Sequence, residues 1–133
     1  MRIDPDRLLN ILHGTICASV RSDAPDLSAR QMAILLAVSL NEGMHTVRGL
    51  AAALNISKPA ISRSLDRLCE LGLAGREDDP RDRRSVLVVP SESGRGYVAS
   101  LRQMLAEASR PQPPRRTTRR NQPVATVLQM AAA

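Results

Sequence analysis

Aromatic residues are almost missing from this chain of 133 residues: it has no Trp and no Phe, and Tyr97 stands alone. Any core must therefore be aliphatic, built from Leu, Ile, Val, Met and Ala. The same absence argues against a single-strand binding platform, which stacks bases on aromatic rings. Lysine is nearly missing too. Lys58 is the only one, and every other cation is an arginine, which favours forked contacts to phosphate or guanine over point-charge contacts. Two cysteines, Cys17 and Cys69, are too few for a disulfide framework and fit a reducing compartment. The longest apolar run, Met32 to Leu40, is interrupted by Ser39 and is too short to cross a bilayer. Neither a signal peptide nor a membrane partner is expected, and the expected location is cytoplasmic. There is no glycine-rich phosphate loop, no paired-cysteine zinc spacing and no nucleophile motif. An enzyme, a metal site and a cofactor are thus all unsupported.

What is present begins with charge. The formal net charge is +6, which fits a polyanionic partner. Five arginines (110, 115, 116, 119 and 120) and no acid fall from Arg110 onward, leaving +1 for residues 1–109. A nucleic-acid footprint on the folded part must come from local arrangement. Residues 1–109 are read as one domain. Residues 110–123 are rich in Pro and Arg and are read as a disordered basic linker, either a solvated tail or a nonspecific phosphate binder. Residues 124–133 form a short apolar tail.

The most informative stretch is 46–90. Thr46 is a good N-cap, and Val47, Leu50, Ala51 and Leu54 follow at helical spacing. Small Ala51, Ala52 and Ala53 would let a second helix cross closely. Asn55 suits a left-handed stop, and Ile56 is an apolar plug in the turn. Ser57 caps a second helix, with Pro59 in its first turn. Ile61, Leu65, Leu68 and Cys69 make its buried stripe. Ser62, Arg63, Asp66, Arg67 and Glu70 face outward, where Arg63 with Asp66 and Arg67 with Glu70 are opposite charges at i,i+3. Gly72 ends the helix. Leu73–Glu77 and Ser85–Val89 read as two strands joined by an Asp78–Arg83 tip.

This order predicts a mainly α fold with a small β-hairpin: a winged helix-turn-helix with flanking dimerisation helices. Short hydroxyls and long cations at the start of the second helix suit base edges and phosphates of a major groove. Arginines on the hairpin suit a narrow minor groove. Ser57, Lys58, Pro59, Ser62, Arg63, Arg67, Arg81, Asp82, Arg83 and Arg84 are the candidate DNA-binding residues. A solvated, self-paired helix face and a plain polar loop are the alternatives.

The run from Leu50 to Gly94 resembles the MarR-type winged helix-turn-helix transcriptional regulators. The likeness rests on Ser62, Leu65, Asp66, Arg67, Leu68, Gly72 and Leu73, on Arg76, on the wing sequence Asp79-Pro80-Arg81-Asp82-Arg83-Arg84, and on Ser91 with Gly94. It implies a homodimeric repressor on a pseudo-palindromic double-stranded operator, with a small-molecule or oxidant effector. It also implies that Asp82 holds Arg84 for the minor groove. Pro90 stands where the family usually has Leu and would shorten the last strand. The family usually has a further helix where this chain has its basic, proline-rich insert.

On either side of this stretch lie further helices. Asp4-Pro5 opens the first, which places Leu8, Ile11, Leu12, Ile16 and Val20 on one side, with Leu9 widening the arc; Gly14 lies elsewhere. This arc either packs on another subunit or covers its own domain. Ser28 and Gln31 form a capping box before a helix carrying Met32, Leu35, Leu36, Val38 and Leu40, the expected spine of the domain. Ser91 caps a last helix, to about Ser109, with Val98, Leu101, Met104 and Leu105 as its stripe. By the resemblance, the first and last helices form the dimer interface. His13 and Cys17, four residues apart, are either a redox pair, the imidazolium favouring the thiolate, or an inert half-buried thiol. Cys69 is expected in the core, and His45 as a loop residue. The competing function is a winged-helix protein-interaction or nucleoid-associated module without ligand control.

Overall fold

The computed structural model describes residues 2–111. The predicted 112–123 part of the basic linker and the 124–133 tail lie outside the described residues. The elements are α1 (Pro5–Arg21), α2 (Ala29–Leu40), α3 (Val47–Leu54), α4 (Lys58–Glu70), β1 (Ala74–Asp78), β2 (Val86–Pro90) and α5 (Glu92–Ala108).

Each helix starts on a cap visible in the sequence. The side chains of Asp4, Ser28, Thr46, Ser57 and Ser91 accept from backbone N–H groups of the following turn, and each such cap contributes about 1 kcal/mol. The Ser28–Gln31 capping box is formed in both directions, at 3.2 and 2.9 Å. Asn55 is left-handed (φ 52°, ψ 46°), so the chain reverses tightly between α3 and α4. Gly72 is also left-handed (φ 73°), which turns the chain from α4 into the hairpin.

α2 is the spine. Ile34 and Leu35 are fully buried and Val38 nearly so, and the helix packs on α4, β2 and α5. The expected list for this helix omitted Ile34 and included Leu40, which is exposed. Leu40 is the last residue of α2. Ile61, Leu65 and Leu68 of α4 meet α2 in the core, with Leu50, Ala51, Leu73, Val88 and Val98 around them. Full burial of such side chains contributes about 1.5–3 kcal/mol each. Of the three alanines in α3 only Ala51 is at the crossing; Ala52 and Ala53 are exposed.

The strands lie one residue later than expected. They are antiparallel, with Ala74 opposite Pro90 and Arg76 opposite Val88. Pro90 does not shorten β2. The Ser91 N–H donates to the Leu73 carbonyl at 3.1 Å, so Ala74 and Pro90 fall at the non-hydrogen-bonded pair of the ladder. A missing N–H costs nothing there. A third backbone segment joins the ribbon: Val88 N–H donates to His45 O at 2.7 Å, and Thr46 bridges Leu87. His45 is therefore part of the framework through its backbone, while its ring bonds the Asn41 carbonyl at 2.8 Å.

α1 packs along α5, though not through the apolar arc. Thr15 is the buried residue, its hydroxyl donating to Ile11 O at 2.7 Å. Gly14 faces Ala108, where an added Cβ would lie 3.2 Å from the Ala108 Cβ. Much of the arc is open: Leu8, Leu12, Ile16 and Val20 are 48–68% exposed, whereas Ile11 is half-buried.

Candidate nucleic-acid interface

α4 lies with one side in the core and the other in solvent. Ser57, Lys58, Pro59, Arg63, Asp66 and Arg67 are exposed, and Ser62 is half-buried. The Ser57 hydroxyl accepts from Ala60 N–H at 3.3 Å, which settles the helix start that carries Lys58 and Pro59. The hairpin runs alongside. Its tip is built from two turns in which an aspartate holds the residue two places on. Asp79 accepts from the Arg81 N–H, and Asp82 from the Arg84 N–H, both at 2.9 Å. Asp and Asn favour such turns because a short side-chain acceptor reaches the backbone two residues ahead.

Asp82 thus fixes Arg84 through the main chain. Among the described residues no carboxylate pairs with the Arg84 guanidinium; the ion pairs there are Arg67–Glu70 and Arg76–Asp66. The expected i,i+3 pair of Arg67 with Glu70 forms at 3.2 Å. The pair of Arg63 with Asp66 does not, because the Asp66 carboxylate turns to Arg76 of β1.

Helix and wing together enclose an open groove of about 420 Å³, lined among others by Arg48, Lys58, Ser62, Arg76, Asp82 and Arg84. Four of the candidate residues meet in it: Lys58, Ser62, Asp82 and Arg84. Ser57 and Pro59 lie beside it at the start of α4. Arg63 and Arg67 are on the exposed side of α4 outside the groove, and Arg81 and Arg83 are on the wing tip. Arg48 and Arg76 were not among the candidates. Arg48 had a signal: a cation in the first turn of a helix opposes the macrodipole, so it needs another reason to be there. Lys58 stands the same way on α4. Arg76 could be placed only by the register of the hairpin.

Two candidates lie elsewhere. Cys17 Sγ is 3.4 Å from His13 Nε2 on α1, with Cys17 half-buried and His13 exposed. Cys69 is half-buried at the margin of the core, its sulfur accepting from Arg76 at 3.5 Å, so it is less enclosed than expected. Among the described residues no group of His, Cys, Asp and Glu is arranged to hold a metal, and no helix is long and apolar enough to cross a membrane.

This arrangement is shared with known proteins. A family model described as the MarR family matches residues 26–85. The chain is 34% identical over 71 residues to YcgE of Bacillus subtilis (strain 168), an uncharacterised HTH-type transcriptional regulator. That alignment takes in 53% of this chain and 46% of YcgE, so the chain spans about half the length of this curated relative. The crystal structure of MarR superposes with a TM-score of 0.59 at 26% identity, over 80% of this chain and 78% of that one. CouR from Rhodococcus jostii RHA1, crystallised with p-coumaroyl-CoA, gives 0.58 at 26% identity, over 92% and 79%. The family segment ends at Ser85, and the structural matches carry the likeness through the rest of the wing and onto α5. Motif, fold and likeness agree: the chain is similar to the MarR family of winged helix-turn-helix proteins.

Proposed function

We propose that the protein is a sequence-specific, double-stranded DNA-binding transcriptional regulator, acting as a homodimeric repressor on a pseudo-palindromic operator in the cytoplasm, on the nucleoid. The observation that carries this reading is the groove in which Lys58 and Ser62 of α4 face Arg84 of the wing. A helix start with a hydroxyl and a cation reads base edges in a major groove. An arginine on a ribbon set beside it reaches the adjoining minor groove. Ser57, Pro59, Arg63, Arg67, Arg81 and Arg83 flank that line and supply backbone contacts.

Support for the dimer comes from α1. Leu8, Leu12, Ile16 and Val20 form an open apolar stripe, and Leu105 of α5 is 39% exposed. A contiguous apolar face of this kind marks an interface, and a twofold partner sets two reading heads on two half-sites. Support for an effector comes from a cavity of about 520 Å³ between α1, α2 and α5, lined by residues such as Ile16, Met32, Leu36, Tyr97 and Leu101. Its volume suits a small molecule. Tyr97 is the one aromatic available, so an aliphatic ligand fits better than one that must stack. Occupation there would change the spacing of the reading heads. The Cys17–His13 contact supports an oxidant as the alternative signal.

Selection of bound duplexes from a random DNA pool tests the proposal. The expected product is a twofold-related pair of half-sites about one helical turn apart. Recovery of random sequence with steep salt dependence would replace the regulator by a nucleoid-associated module. No DNA retention at all would favour a protein-interaction module.

A further inference from the structure

A single side chain ties the wing to the helix beside it. Arg76 is the third residue of β1 and lies opposite Val88. Its guanidinium donates to three acceptors on α4: the Ser62 carbonyl at 3.3 Å, the Asp66 carboxylate, and Cys69 Sγ at 3.5 Å. Those residues are spaced i, i+4 and i+7, so they form one ridge along about two turns. The planar fork of arginine lies along the ridge and meets all three; an ammonium has no such reach.

The place of this contact on the ribbon matters. Val88 is buried, and its N–H is bound to His45. One residue further out Leu87 is also buried and is bridged to Thr46; beyond it Asp78 and Val86 are exposed. Among the described residues, no side chain of the ribbon beyond Arg76 bonds to α4. Arg76 therefore sits one residue inside the point where the hairpin leaves the core and becomes a two-stranded lever, an arrangement with little rigidity of its own. Arg84 lies about four residues out from this pivot, roughly 13 Å at a rise of about 3.3 Å per residue. A swing of roughly 10° at the pivot would move it by about 2 Å over that lever, more than the tolerance of a hydrogen bond.

We propose that Arg76 is a positioning residue, anchored on Asp66, that fixes the angle between wing and α4 and so determines sequence discrimination, without itself contacting phosphate. This rests on the DNA-reading function proposed above. The pair is solvent-exposed on both sides, with Arg76 36% and Asp66 59% accessible, so screening leaves it little weight in global stability. Its weight is geometric. Pairing also cancels the two charges, leaving Arg48, Lys58 and Arg84 as the cations of the groove.

The test uses the full chain, the duplex recovered from the random pool, a scrambled duplex and a salt series. Arg76→Ala and Asp66→Ala are each expected to cut the preference for the selected duplex about tenfold while the melting temperature holds. The slope of log K against log salt should stay unchanged. The double variant should be no worse than either single one, and Arg76→Lys should not rescue. In DNA-free protein, the amides of Asp82 and Ser85 should exchange faster in Arg76→Ala. An unchanged preference with a slope smaller by about one would make Arg76 a phosphate contact and overturn the proposal. So would unchanged preference, slope and exchange. A wild-type chain with no preference among duplexes would sink the reading function itself; the exchange measurement still decides whether Arg76 holds the wing.

Discussion

Replacing Gly94 by alanine places a methyl carbon 1.9 Å from the Leu73 carbonyl oxygen and 2.9 Å from its carbon. An ordinary C···O contact is about 3.3 Å or longer, so something must move by more than 1 Å. The obstacle is backbone and cannot rotate away. The same oxygen accepts the Ser91 N–H at 3.1 Å, and the Ser91 hydroxyl donates to Gly72 O. The first turn of α5 must lift off the corner between α4 and β1 and strain both bonds. Overpacking against an unyielding neighbour costs up to about 3 kcal/mol. Each lost hydrogen bond adds about 1 kcal/mol, and the better helix propensity of alanine returns about 1 kcal/mol. The net expectation is a destabilisation of about 3 kcal/mol. Urea denaturation followed by far-UV circular dichroism measures it, since no tryptophan is present for fluorescence. Gly96 is the internal control. It lies two residues along the same helix, and an added Cβ there meets nothing within 4 Å. Gly96→Ala should stabilise by about 0.5–1 kcal/mol. A Gly94→Ala protein within about 0.5 kcal/mol of wild type would refute the argument from close approach.

Three further outcomes are expected. Arg84→Ala should weaken operator binding by about 1–3 kcal/mol in a fluorescence-anisotropy titration with labelled duplex, and an unchanged affinity would remove this residue from the groove contacts. Ile16→Asp places a charge on the open face of α1, where Ile16 is 52% exposed. Sedimentation equilibrium should then show a monomer where wild type is a dimer, and a variant that remains a dimer would move the interface elsewhere. Leu65→Ala removes a fully buried side chain and should cost about 2–5 kcal/mol in the same urea experiment; a smaller loss would mean that α2 and α4 collapse around the gap.

The caps and stops could be read locally because each depends on a few neighbouring atoms. Ser28 with Gln31, Ser57 with Pro59, the left-handed Asn55 and Gly72, and Ser91 all do at short range what their side chains allow. The stripe of Ile61, Leu65 and Leu68 was legible for the same reason: a helical period on an aliphatic sequence leaves one way to bury it. The wing was placed one residue early, since strand ends depend on which carbonyls find partners, and Ser91 supplies the last ladder bond. Part of the groove was also legible. Lys58, Ser62, Asp82 and Arg84 announced themselves by residue type next to a helix start or a turn, Arg48 only by a charge set against its helix dipole, and Arg76 only through the register of the hairpin.

What the amino-acid order determined alone was the succession of elements and which side of each is apolar, because helix and strand periods and capping chemistry act within a few residues. Tertiary structure decided the pairings that span the chain. Asp66 chose Arg76 over its helical neighbour Arg63, and α1 turned Gly14 to Ala108 of α5 while leaving its leucines open. Each of these is a competition between a near partner and a far one. The far one prevails when packing of the core has already brought it within reach, so that little further chain entropy is lost in making the contact.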